Sequence, residues 1–159
     1  MTEDYHDSAA TTYIDGTSIF KSDKDEKAEA AIARRVAPIW GVKLHSFGKL
    51  APIDWWAERT GRFVGVCEFK RRYNPMRQYP TVFINVRKWL SLMLAETGLG
   101  VPALYLVEWD DATRWIDVKH IDPARNRIGG TQRAKDGIND IEPIIEIDID
   151  TMKELTSGD

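Results

Sequence analysis

Residues 52–70 read Pro52-Ile53-Asp54-Trp55-Trp56-Ala57-Glu58-Arg59-Thr60-Gly61-Arg62-Phe63-Val64-Gly65-Val66-Cys67-Glu68-Phe69-Lys70. Arg59-Thr60-Gly61-Arg62 is turn chemistry between two strand-like runs, Ile53–Arg59 and Arg62–Arg72, so a hairpin is expected. Residues two apart in a strand share a face, which sets the Glu68 carboxylate beside the Lys70 ammonium. Asp54 opens the preceding run, and the hairpin folds it back toward Glu68. Two carboxylates meeting beside a lysine suit Mg²⁺, a hard cation that takes oxygen ligands and keeps several waters. A metal there polarises a phosphodiester and lowers the pKa of an attacking water. Lys70 is then placed to orient that water or to stabilise charge on the phosphate. Cys67 alternates to the opposite face, where burial makes it inert.

The flanking sequence supplies the elements around this hairpin. Ser22 reads as an N-cap, with Asp25 and Glu26 in the first helical turn. Ala28, Ile32, Val36 and Ile39 follow at helical spacing, and Gly41 stops a helix near residues 22–38. Val42–Phe47 reads as a strand. Tyr73–Pro80 holds two prolines and reads as a loop. Thr81 is the candidate cap of a second helix carrying Phe83, Val86, Trp89, Leu90, Met93 and Leu94, ended by Gly98. Val101–Trp109 is nearly continuous apolar sequence, as expected of a buried central strand. Arg114–His120 alternates, Asp122–Asn139 reads as a polar loop, and Ile144–Ile149 alternates as a half-exposed strand. Thr151–Leu155 is at most a short helical turn. The expected order is helix, three strands, helix, then two or three strands: an α/β sandwich with a mixed sheet, not a doubly wound one. Residues 1–20 are polar and read as a flexible tail, leaving 21–159 as one domain.

The chain has 159 residues, 43% hydrophobic and 30% charged, which is room for one globular domain with a real core. No apolar run approaches the ~20 residues needed to span a bilayer. The acidic N-terminus lacks an apolar stretch, so no secretory signal is expected and the cytoplasm, or a host-cell interior, is the default compartment. The single cysteine excludes an internal disulfide and a Cys-based zinc cage. His6, His45 and His120 lie in separate elements without ligand spacing. No GxxxxGK[ST] phosphate loop is present. The net charge of −3 conceals an asymmetry. Residues 30–100 carry 12 Lys/Arg against 4 Asp/Glu, a net of +8, while the flanks carry −5 and −6. Local potential decides polyanion binding, so the central segment makes nucleic acid a candidate partner despite the acidic whole.

An acid two residues before a lysine occurs three times: Asp25-Glu26-Lys27, Glu68-Phe69-Lys70 and Asp117-Val118-Lys119. The first lies in a helix, where such residues diverge. The third has upstream acids only in the turn itself. The second alone has an acid on a partner strand, Asp54. Asp54 with Glu68-Phe69-Lys70 at the end of an apolar strand resembles the PD-(D/E)XK nuclease superfamily. Pro52-Ile53-Asp54 departs by one residue from a strict Pro-Asp pair. The resemblance covers residues 22–110 and implies a restriction-endonuclease-like core of order α-β-β-β-α-β, with further C-terminal strands outside it. It implies a Mg²⁺-dependent nuclease, with Mn²⁺ substituting, acting on DNA, with RNA not excluded. Resolvase-like and phage-type small endonucleases are the similar members, and such members often work as homodimers.

Many members add a Glu on the first helix, and Glu29 is the candidate for that role. On a helical wheel it falls roughly 20° from Val36 and 60° from Ile32, on the apolar face. Glu26 is the fallback, toward the edge of that face. The plain alternative for Glu29 is a first-turn acid favoured by the helix dipole. For Asp54, Glu68 and Lys70 it is a surface salt-bridge cluster at a sheet edge.

Lys70-Arg71-Arg72 runs into Tyr73, Asn74, Arg77, Gln78 and Tyr79. These basic side chains can meet phosphates and Tyr79 can stack on a base. Similar nucleases often place a phosphate-holding residue just after the lysine or on the second helix, which singles out Gln78, Arg87 and Lys88. Arg125, Arg127, Arg133 and Lys135 decorate the Gly129-Gly130 loop, as a DNA-gripping flap or as a loop balanced by Asp122 and Asp136. Trp55 and Trp56 face opposite sides of their strand, with core packing expected for both. The rival to a nuclease is a non-catalytic nucleic-acid-binding or assembly protein on the same fold. A plain interaction domain would show no salt-sensitive DNA binding at all.

Overall fold

The computed structural model describes residues 23–130 and 141–156, with the backbone of four two-residue strands at 13–14, 17–18, 132–133 and 138–139. Helix α1 spans Asp23–Trp40, with Asp23, Asp25 and Glu26 in its first turn, where acids suit the helix dipole. The expected cap, Ser22, lies outside the described residues. The helix runs two residues past its expected end. Pro38 lies inside its last turn, and Trp40 packs its ring 6.4 Å from Phe69 and 6.3 Å from Trp115. Tertiary packing thus carries the last turn beyond the proline.

Strands β1 (Lys43–Ser46), β2 (Trp55–Arg59) and β3 (Arg62–Arg71) form an antiparallel meander. The β2–β3 hairpin turns at Thr60 (φ 50°) and Gly61 (φ 75°), both left-handed, as a two-residue turn matched to strand twist requires. Strand β4 (Thr81–Asn85) follows, then α2 (Val86–Leu99) and β5 (Ala103–Glu108), which returns parallel to β3 with Glu68 opposite Tyr105. Strands β6 (Thr113–Asp117), β7 (Asn126–Gly129), β8 (Glu142–Asp148) and β9 (Lys153–Glu154) follow. The central mixed sheet has the order β9-β6-β5-β3-β2-β1, and a second, antiparallel sheet has the order β4-β8-β7.

Alternate residues of β3 feed two cores on the two faces of the central sheet. Cys67 and Phe69 pack with Ile32, Ala33 and Val36 of α1. Val66 packs with Leu92 of α2 and with Ile84, Ile145 and Ile147 of the second sheet. The molecule is therefore layered: α1, then the mixed sheet, then α2 with the small sheet. The expected α-β-β-β-α-β order is present with β4 inserted before α2.

The differences from the sequence reading have physical causes. Thr81 opens a strand rather than capping a helix. Thr81–Asn85 alternates half-buried and buried side chains and pairs along its length with β8. Its β-branched and aromatic residues suit a pleated surface. The helix ends at Gly100 rather than Gly98, because Gly100 adopts φ 65° and donates its N–H to the Glu96 carbonyl. Arg114–His120 divides into β6 and a 3₁₀ turn at Val118–His120. The stretch read as a polar loop after Asp122 contains a 3₁₀ turn at Pro123–Arg125 and strand β7, which pairs with β8. The proposed helical turn at Thr151–Leu155 is instead a 3₁₀ turn over Ile149–Thr151 followed by β9. The expected tail, residues 1–20, lies outside the described residues apart from two of the short strands.

Candidate active site

Among the described residues, the buried charged or polar side chains are Glu29 (6% exposed), Asp54 (5%) and Glu68 (7%). Burying a carboxylate is costly unless a partner compensates it. Asp54 lies just ahead of β2, its carbonyl accepting the Phe47 N–H at 3.0 Å. Glu68 lies within β3 on the face toward α2. Their shared partner is Lys88 in the first turn of α2. Its Nζ donates to Asp54 Oδ1 at 2.9 Å and to Glu68 Oε2 at 3.3 Å.

The charge of this pair is felt nearby. Burial pushes the Cys67 thiol well above its ordinary value, and the neighbouring Glu68 and Asp54 carboxylates add to the push. Cys67 is buried on the opposite face of β3. Burial also raises the Tyr105 hydroxyl; Arg72 opposes the rise and Glu68 reinforces it. That hydroxyl donates to the Phe83 carbonyl at 3.0 Å.

Lys70 lies on the Glu68 face by alternation and is half-buried, with no ion pair to another described residue. Glu29 is buried on α1 beside Ile32 and Val36. Glu26 is half-buried and faces Lys49 at 3.6 Å. Among the described residues, no group of three or more His, Cys, Asp or Glu side chains gathers closely enough to hold a metal ion. Trp55 and Trp56 pack against opposite cores, Trp55 with the α1 side and Trp56 with the α2 side. His45 pairs with Glu58 at 3.0 Å and stacks on Trp56 at 4.2 Å. His6 lies outside the described residues.

The donor chemistry fits a divalent hard cation. Two carboxylate oxygens already converge on one cationic atom, and oxygen is the ligand such ions take. Lys88 Nζ stands at that point of convergence. Asp54 and Glu68 are the residues that would hold the ion.

The basic residues divide by what they touch. Arg71 pairs with Asp110 at 2.6 Å and lies over the Tyr73 ring. Arg72 lies over the Phe83 ring at 4.5 Å. Arg77 pairs with Asp150 at 2.8 Å, Arg87 with Glu142 at 3.6 Å and Arg127 with Glu146 at 2.7 Å. Gln78 donates to the Tyr79 hydroxyl at 3.2 Å, and Tyr79 is exposed. Arg125 is exposed at the end of a 3₁₀ turn. The side chains of Arg133 and Lys135 lie outside the described residues.

Sequence reasoning placed Lys88 among phosphate-holding residues and missed its contact with the acidic pair. A signal was present in the basic Arg87-Lys88 step. Cations in a first helical turn oppose the helix dipole unless acids face them. That signal became readable only once α2 was known to begin at Val86.

A family model described as phage putative PDDEXK endonuclease matches residues 17–155. Among solved structures, the Holliday junction resolvase Hjc from the archaeal hyperthermophile Archaeoglobus fulgidus is similar. Its TM-score is 0.55 at 14% identity, over 84% of this chain and 93% of that one. A search of curated proteins returns no match.

Proposed function

The chain belongs to the phage putative PDDEXK endonuclease family, and from that premise we propose that it is a Mg²⁺-dependent nuclease hydrolysing phosphodiester bonds of DNA. The observation that carries this reading is the burial of Asp54 and Glu68 around one cationic point. A structural salt bridge at an exposed sheet edge would not bury both carboxylates. The resolvase likeness supports the fold and, with it, a structure-specific substrate in DNA processing or recombination. Mn²⁺ substitutes for Mg²⁺, and the chain acts inside the host cell.

When bound, the cation supplies electrophilic pull on the phosphodiester and acidifies a water. The chain's own residues do the rest. Glu68 presents its carboxylate from β3, and Asp54 presents its own from the residue that leads into β2, where the Phe47 N–H on its carbonyl holds the backbone. Lys70, on the Glu68 face, holds the water or the phosphate charge that develops. Glu29 is the accessory carboxylate of α1, favoured over Glu26 because it lies on the buried face of the helix whereas Glu26 is only half-buried. Arg71, Arg72, Arg77, Gln78, Tyr79, Arg87, Arg125, Arg127 and Arg133 contact the nucleic-acid backbone or stack on bases. A homodimer would present two such sites to one substrate.

The test is cleavage of linear, circular, single-stranded and four-way-junction DNA in Mg²⁺, Mn²⁺ or EDTA. Asp54→Asn, Glu68→Gln and Lys70→Ala are each expected to lower the rate by about 100-fold or more. Salt-sensitive binding without cleavage on any substrate, unchanged in these variants, would instead establish a non-catalytic binding protein.

A further inference from the structure

We propose that Lys88 is a built-in counter-ion that holds the metal's place between Asp54 and Glu68 and must leave when the metal arrives. The inference rests on the reading of these two carboxylates as the metal-holding pair. Two buried carboxylates side by side repel one another, and a buried acid without a partner is expensive. Lys88 Nζ meets both, at 2.9 Å and 3.3 Å, in the manner of one shared cation. Lys88 sits in the first turn of α2, where the dipole disfavours positive charge, so the two acids must outweigh that cost. Lys70, the lysine nearest along β3, is not the one that joins the pair.

Lys88 also has room to move. Its side chain is 21% exposed while those of Asp54 and Glu68 are 5% and 9% exposed. Its flexible four-carbon stem allows the ammonium to swing outward without moving α2. The released ammonium would then be available to a phosphate oxygen of the substrate. Metal binding thereby exchanges an internal cation for a divalent one and frees a phosphate contact in the same step. The metal-free protein keeps its acidic pair neutralised and preorganised.

The experiment measures Mn²⁺ binding to the full chain by titration calorimetry, with the Tm recorded in EDTA and in Mn²⁺, and no DNA present. Lys88→Met is expected to bind Mn²⁺ about tenfold more tightly, the scale of one charge-assisted hydrogen bond no longer displaced. Its Tm in EDTA is expected to fall by roughly 4 °C and to recover in Mn²⁺. Lys88→Arg, which keeps a cation, is expected to restore wild-type behaviour. Lys70→Met, which removes the same charge without the bridge, is expected to change affinity by no more than about twofold. If Lys88→Met does not fold without metal, Lys88→Gln carries the same test through its neutral donor. Unchanged or weaker Mn²⁺ binding on loss of Lys88, or equal tightening by Lys70→Met, overturns the proposal. The Asp54→Asn/Glu68→Gln double variant separates the two readings. If it still binds Mn²⁺ like the wild type, the metal-holding pair itself is wrong. If it loses Mn²⁺ while Lys88→Met changes nothing, only the counter-ion role is wrong.

Discussion

Cys67 and Glu68 are adjacent in one strand and meet opposite surroundings, because strand side chains alternate. Cys67 packs with Phe69 and α1, and its thiol is held protonated by burial foremost, with Glu68 and Asp54 adding to the effect. Iodoacetamide is expected to leave the folded protein unmodified and to label it in urea, as mass spectrometry would show. An exposed thiol ionises near 9.0, so above that pH the unfolded chain has lost a proton that the folded chain keeps. Rising pH through that value therefore favours unfolding, and Cys67→Ala should lose less stability than the wild type between pH 7.5 and 9.5. Equal losses in urea titrations would contradict this. At this scale, alternation and turn chemistry brought Asp54, Glu68 and Lys70 into one frame, and helical periodicity placed Glu29 on the buried face of α1. Lys88 was not legible as their partner. It stands 34 residues from Asp54 and 20 from Glu68, and only the packing of α2 joins them.

At the scale of elements, the strongest signals were those with a local cause. The apolar period of α1, the Thr60-Gly61 turn and the apolar run of β5 each dictate their own conformation. β4 failed because its partner, β8, begins more than fifty residues downstream. A short apolar run ahead of a helix fits either element by periodicity, and pairing with a distant strand decides it. The end of α2 turned on which of two glycines takes the left-handed conformation. Gly98 lies within the helix, while Gly100 has φ 65°. Gly100→Ala is expected to cost about 1 kcal/mol in urea unfolding, the price of that conformation for a residue with a Cβ. Gly98→Ala should cost nothing or stabilise slightly, since alanine is the better helix former. The reverse order would place the helix end where the sequence alone suggested it.

At the scale of the whole molecule, the charge asymmetry of the chain becomes a set of specific contacts. The central basic segment is met by acids from the C-terminal third. Asp110 holds Arg71, Asp150 holds Arg77 and Glu142 holds Arg87. Arg127 and Glu146 pair within that third. On the proposed nuclease reading, DNA phosphates would compete with these internal acids, so binding is expected to be weaker than twelve central cations would suggest. Each arginine surrendered by its acid adds one phosphate contact. Arg77–Asp150 is the clearest case, because both side chains are more than half exposed and phosphate can reach the guanidinium. Asp150→Asn is therefore expected to raise DNA affinity at low salt. It should also steepen the slope of log K against log salt by about one, the signature of one further counterion released. Fluorescence anisotropy in EDTA, which would suppress the proposed metal-dependent cleavage, would measure both. Arg77→Ala should remove the gain when combined with Asp150→Asn. A gain that survives the loss of Arg77 would assign the effect to Arg114, which lies 3.9 Å from the same carboxylate. No change at any salt concentration would mean that this edge of the molecule does not meet the nucleic acid.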